Sequence, residues 1–303
     1  MSGEIAFTNT ALESFAALVT FVLLFACIAK IKMQRGIKHV TSKNAKRNTL
    51  DYILIIWLVI HMIVLTADVL SWTAMDFGKN EVWLLFMLNL TFTCLFLECM
   101  VYTYYVKETI YQHEMIGNTY VYLVMLSTVI AIILWITSDI SGKFYYLDTQ
   151  GNYTQGSMYW LCQFYCIIVM CGNIVILLKH RKALVRHDVL SLLMYGLIPI
   201  ASIPAQMLWK STTFNLATTL ALIYICISVH MAQYDRIVEQ EKLLIQQEHE
   251  LSMNQMQMMI AQIQPHFLYN SLTSLAQLCS KDPSEESDHQ FCGLLAQSYK
   301  RNR

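Results

Sequence analysis

Charge is scarce in this sequence. Asp, Glu, Lys and Arg make up 14% of its 303 residues, while 56% are hydrophobic. A soluble domain carries about 25% charged residues, so the shortage excludes an ordinary soluble chain. The formal net charge is zero, so no global excess of either sign points to nucleic acid or to an acidic substrate. The nine cysteines include no C-x-x-C pair, which argues against a metal knuckle or a redox motif. They read as free thiols, most in apolar runs, with Cys279 and Cys292 in a polar tail. A P-loop and a kinase-type glycine-rich loop are both missing. The first residues lack a basic n-region, and the first apolar run is too long for a signal-peptide core, so an uncleaved membrane helix is expected.

What is present is long apolar runs. A helix needs about 20 apolar residues to cross a hydrocarbon core of about 30 Å. Seven runs approach that length: 11–31, 51–70, 82–105, 119–137, 158–178, 189–209 and 213–231. They are continuously apolar rather than alternating, which predicts helices and not barrel strands. Basic residues then orient the chain. Lys32, Arg35, Lys38, Lys43, Lys46 and Arg47 crowd the first connection, and Lys179, Arg181, Lys182 and Arg186 the fifth. The second, fourth and sixth connections carry only Lys79, Lys143 and Lys210. The positive-inside rule places the N-terminus outside and the C-terminus in the cytoplasm. Trp72, Trp83, Trp135, Trp160 and Trp209 fall at the outer ends, where an aromatic belt is expected.

On the outer side, Phe144-Tyr145-Tyr146-Leu147 and Tyr153-Thr154 flank a Gly-Asn turn and read as a hairpin, either a cap over a ligand pocket or a rigid lid. Within the runs lie His61, Asp68, Asn89, Glu98, Gln163, Asn173 and Gln206. Ionisable groups are costly in hydrocarbon and often functional, so His61, Asp68 and Glu98 are the ligand candidates. Interhelical hydrogen bonding explains such residues equally well. Asp68 lies near an outer end and Glu98 deeper, so they are not expected to share one site. Pro199 and Pro204 are expected to bend the sixth helix.

The seventh run does not stop at the membrane. Ile237, Leu244, Leu251 and Met258 recur every seven residues, flanked by Val238, Ile245 and Met259. That spacing predicts a coiled coil. Its other core position is polar (Tyr234, Glu241, Glu248, Gln255), so the coil is weak and suited to changing register. Then comes Gln264-Pro265-His266-Phe267-Leu268-Tyr269-Asn270-Ser271-Leu272. Pro265 removes a helical hydrogen bond next to His266, and His266 and Asn270 stand four apart on one helical face. Asp282-Pro283-Ser284-Glu285 reads as the start of a second helix. Two such hairpins, one from each protomer of a homodimer, form a four-helix bundle.

The string Gln264–Leu272 resembles the phosphoacceptor motif of LytS-type bacterial sensor histidine kinases. The resemblance implies that His266 accepts a phosphoryl group from ATP and passes it to an aspartate of a response regulator, with Asn270 as an orienting group and Pro265 as a kink. The stretch after His266 is too short to hold the ATP-binding domain of that family. ATP and Mg²⁺ are therefore expected on a domain supplied in cis in a longer form or in trans, and no cofactor or metal is expected in this chain. The fold expected is an all-α membrane protein in three parts: a seven-helix sensor bundle over 1–231, a signalling coiled coil over 232–262, and a dimerisation and phosphoacceptor segment over 263–303. The implied location is the bacterial plasma membrane, in contact with lipid and not with nucleic acid. Two other functions fit the residues: a non-catalytic seven-helix receptor or scaffold that pairs with full-length kinases, and a small transporter with a coiled-coil tail.

Overall fold

The computed structural model describes residues 3–36, 42–77, 81–111, 117–148, 153–209 and 213–281. The elements run in the order α1 (Gly3–Gly36), α2 (Ser42–Phe77), α3 (Glu81–Tyr111), α4 (Thr119–Ile136), α5 (Ser138–Ser141), β1 (Tyr145–Leu147), β2 (Tyr153–Gln155), α6 (Tyr159–Lys179), α7 (Arg186–Trp209) and α8 (Thr213–Lys281). They fall into two units, Met1–Ala232 and Gln233–Arg303.

In the first unit, seven helical segments are long and apolar enough to cross a membrane: Phe7–Lys32, Thr49–Ala74, Glu81–Tyr111, Thr119–Ser141, Tyr159–Lys179, Arg186–Gln206 and Thr213–Met231. The chain is a multi-pass membrane protein built mainly of helices, with one short hairpin, β1–β2. Helices are the only open-ended structure that satisfies every backbone N–H and C=O within itself in hydrocarbon. The third span runs on to Tyr111, past the 105 expected, because Val106, Thr109 and Ile110 are still buried.

Two aromatic clusters hold the bundle together. Trp57 of α2 is fully buried against Tyr102 and Tyr105 of α3 and Tyr195 of α7, at ring-centroid distances of 5.7, 5.7 and 4.5 Å. The Tyr102 hydroxyl donates to the Leu192 carbonyl at 2.8 Å. In lipid the apolar effect does not draw helices together, so close packing and interhelical hydrogen bonds of this kind carry the association.

The second cluster corrects one expectation. Trp135 is not part of an aromatic belt. It is completely buried, stacked on Phe92 at 3.8 Å and packed on Tyr145 at 4.7 Å. Trp83 and Trp160 are exposed, as belt residues are. Trp135 differs because the hairpin folds back over it. The strands β1 and β2 pair antiparallel, with Tyr145 opposite Gln155 and Leu147 opposite Tyr153; the turn at 149–152 lies outside the described residues. Ser138 ties the hairpin down: its hydroxyl accepts from the N–H groups of Phe144 and Tyr145 at 3.0 and 2.9 Å and donates to the Tyr145 carbonyl at 3.0 Å. Gly142 turns the chain at φ 61°, and at Gly156 a Cβ would lie 2.2 Å from the Lys143 carbonyl oxygen.

Pro199 and Pro204 both lie inside α7, which is unbroken across them. The Ser202 hydroxyl donates to the Pro199 carbonyl at 2.7 Å. In the second unit, the remainder of α8 continues through Pro265 to Lys281. The expected second helix from Asp282 lies outside the described residues.

Candidate functional site

The three ionisable candidates from sequence fall into two polar clusters that meet α8 at Asn215 and Thr219. His61 of α2 is fully buried, with Nδ1 2.8 Å from Glu98 Oε1 of α3 and Nε2 2.9 Å from Thr219 Oγ1 of α8. The Thr219 hydroxyl also lies 2.8 Å from the Asn215 carbonyl one turn earlier. It has one proton and two acceptors in reach. When that proton goes to the carbonyl, Nε2 must be the donor to Thr219. The triad thus ties α2, α3 and α8 together through buried hydrogen bonds.

One turn toward the start of α8, Asn215 Nδ2 donates to two acids at once, Asp68 Oδ2 of α2 at 2.7 Å and Glu13 Oε1 of α1 at 3.0 Å. The Ser71 hydroxyl donates to the Asp68 carbonyl oxygen at 2.8 Å and lies 3.4 Å from its Oδ1. Asp68 and Glu98 therefore sit in different clusters, each with its own partners, joined through Asn215 and Thr219.

Other polar groups pair elsewhere. Asn173 Nδ2 of α6 donates to Thr103 Oγ1 of α3 at 2.9 Å. At the hairpin end, the Tyr145 hydroxyl donates to Asn89 Oδ1 at 2.7 Å and to Asp139. Burial pushes the Tyr145 phenol above its ordinary range, the Asp139 carboxylate beside it adds to the shift, and so it stays a donor. Gln163 Nε2 donates to the Tyr159 hydroxyl at 3.4 Å. Gln206 Oε1 is buried without a hydrogen-bond partner.

Glu13, Asn215 and Thr219 were not among the candidates from sequence. Glu13 was legible: it is an acid inside an apolar run, and it lies on the α1 stripe Asn9, Glu13, Ala16, Thr20 and Cys27 that the bundle buries. Asn215 was legible on the same ground as Asn89 and Asn173, an amide inside an apolar run, whereas Thr219 gave no signal of its own and acquires meaning only from the histidine opposite it.

In the second unit, the backbone of α8 carries Pro265, His266 and Asn270, the last two one turn apart. The side chains of 262–268 lie outside the described residues. Asn270 is exposed, and its carbonyl accepts from the Ser274 hydroxyl at 2.8 Å. Ile237, Leu244, Leu251 and Met258 are 59, 60, 58 and 58% exposed. Among the described residues, no group of three or more His, Cys, Asp or Glu is placed to hold a metal ion.

Residues 254–302 match the family model described as Histidine kinase. That match supports a histidine kinase family. It covers the helix around His266 and continues past the described residues, while the membrane unit lies outside it. Comparison with curated proteins gives no match.

Proposed function

We propose that the chain is the sensor and phosphoacceptor part of a LytS-type two-component histidine kinase, and that His266 is the phosphoacceptor. The observation that carries the reading is the family match over 254–302, which contains His266. Neutral imidazole is nucleophilic near neutral pH. One ring nitrogen of His266 attacks the γ-phosphorus of ATP; the N–P bond forms and the bond to the ADP oxygen breaks. The phosphoryl group then passes to a carboxylate oxygen of a response-regulator aspartate, which frees the imidazole. Asn270, one turn on, is the orienting group, and Pro265 removes the N–H that would otherwise close the helical turn onto Ala261. ATP and Mg²⁺ belong to a nucleotide-binding domain acting in cis in a longer form or in trans.

The membrane unit supplies the signal. It sits in the bacterial plasma membrane with the hairpin outside and the tail in the cytoplasm, in keeping with the basic first and fifth connections. His61, Asp68 and Glu98 belong to the sensing region. Their clusters hold α8 through Thr219 and Asn215, and α8 runs from Thr213 to Lys281. A change in either cluster is passed along α8 as a rotation or register change. The exposed apolar stripe of the tail fits a parallel homodimer, in which each protomer covers the other's heptad positions.

Single cysteines at Ile237, Leu244 and Leu251 test the transmission. In the full chain in lipid, the reading predicts disulfide formation between protomers at these positions, with a different pattern in His61→Gln than in wild type. Identical patterns in the two proteins would count against register change, and no interprotomer disulfide at any position would count against the dimer.

A further inference from the structure

Among the described residues, cysteines from different helices meet in two places inside the membrane unit. Cys27 of α1 and Cys226 of α8 are 4% and 1% exposed, and their thiols hydrogen-bond each other. Both belong to the core cluster that contains Trp57 and Tyr105. Cys99 of α3 and Cys166 of α6, also buried, form a second hydrogen-bonded pair in the cluster around Trp135. Each pair joins positions far apart in the chain, so neither is a product of helical spacing. All four are free thiols, as is the exposed Cys171.

The two pairs differ in their charged neighbours. Lys30 follows Cys27 by one turn of α1, and its ammonium acts on both Cys27 and Cys226. Asp51 of α2 meets that ammonium at 2.6 Å, which holds it inside the bundle while offsetting part of its field. The second pair has the carboxyl group of Glu98 beside it, which offers a thiolate no such support. The thiolate, not the thiol, attacks an oxidant, and a neighbouring cation favours it. The pairs also differ in position. Cys226 lies near the end of the last span, Thr213–Met231, from which α8 runs on to Lys281. The helices of the second pair, α3 and α6, end at Tyr111 and Lys179.

We propose that Cys27 and Cys226 form a reversible disulfide, with hydrogen peroxide as the oxidant. Peroxide is neutral and little larger than water, so it reaches buried thiols that charged or bulky oxidants do not. The Cys27 sulfur attacks one peroxide oxygen as its own proton leaves. The O–O bond breaks, and the other oxygen departs with that proton as water, which leaves a sulfenic acid. The Cys226 sulfur then attacks the Cys27 sulfur. The S–S bond forms, the S–O bond breaks, and the hydroxyl leaves with the Cys226 proton as a second water. Two thiols lose two electrons, and one peroxide gains them. The link staples α1 to α8 near the end of its membrane span, and a thiol reductant reverses it. Its effect on signalling rests on the proposed sensor role, but the chemistry does not.

The test follows the thiols themselves. The full chain in nanodiscs is reduced, freed of reductant and treated with hydrogen peroxide. It is then blocked with N-ethylmaleimide and digested without reduction for mass spectrometry. The expected product is a pair of peptides joined through Cys27 and Cys226, lighter than its parts by two hydrogens and separated again by dithiothreitol. It should exceed any Cys99–Cys166 product at least about tenfold, the ratio that one unit of thiol acidity gives. Cys27→Ser and Cys226→Ser should each remove it. Absence of the joined peptides from peroxide-treated wild type overturns the proposal whatever the variants do. So does a joined product that forms only once the chain is unfolded, recovery of Cys27 as sulfinic or sulfonic acid instead, or equal yields from the two pairs. Failure of His266 to accept phosphate would leave the disulfide result standing.

Discussion

The membrane stretch of α8 and its tail stretch are built on opposite plans. Between Thr213 and Met231 the helix buries polar residues, with Thr218, Thr219 and Ser228 beside Ala221, Leu222 and Ile225. Beyond it, Ile237, Leu244 and Leu251 are exposed while charged and amide residues fill the surrounding positions. In lipid, apolar surface is no liability and specificity comes from hydrogen bonds between helices. In water the same exposed stripe is an incomplete core. The contrast teaches that the membrane stretch takes its specificity from polar contacts within the chain, whereas the apolar stripe of the tail has no such contacts among the described residues.

The sharpest way to break this comparison is to remove a buried partner. Trp135→Ala should cost about 3–5 kcal/mol, because it empties a site packed by Phe92 and Tyr145. Trp160→Phe, at an exposed position, should stay within about 0.5 kcal/mol. Chemical or thermal unfolding of the full chain in detergent measures both; equal losses would mean that Trp135 is a belt residue after all.

Next in size is Glu98→Ala, which leaves His61 buried without its carboxylate. Breaking a buried pair from one side costs about 3 kcal/mol. The double variant His61→Leu, Glu98→Leu should recover most of that loss, since it removes both buried polar partners together. A double variant as unstable as the single one would show that the pair is not the source of the effect.

Leu244→Asp sharpens the comparison from the other side. It should leave the melting of the membrane unit unchanged and abolish dimerisation of the full chain, read by analytical ultracentrifugation in detergent. A loss of membrane-unit stability would show that the tail stripe is covered within the protomer. Thr219→Val should have the smallest effect, about 0.6 kcal/mol, the average measured for interhelical hydrogen bonds in a membrane bundle.

How much could be read from the residues alone follows the same division. The seven spans were legible because hydrocarbon leaves only one way to satisfy the backbone, so length and apolarity decide. The hairpin was legible from two short aromatic runs on either side of turn residues. Trp135 was misassigned because its neighbours in the chain place it at a helix end, and only the fold of the hairpin over it shows that it is core. Within the candidate site, His61, Asp68 and Glu98 stood out as ionisable groups in apolar runs. Their division into two clusters depends on Glu13 and Asn215, which lie far away in the chain and reach the site only through packing of α1 and α8 on α2. The motif around His266 was the reverse case. It is recognisable as a string, since its chemistry resides in consecutive residues of one helix.

The central claim is that His266 accepts phosphate, and one measurement bears on it most directly. The full chain in nanodiscs is incubated with radiolabelled ATP, Mg²⁺ and a separately purified histidine kinase nucleotide-binding domain, and the label is followed through acid and base treatment. The account predicts acid-labile, base-stable label on the wild-type chain, none on His266→Ala, and reduced label on Asn270→Ala. Acid-labile label that persists in His266→Ala would contradict it.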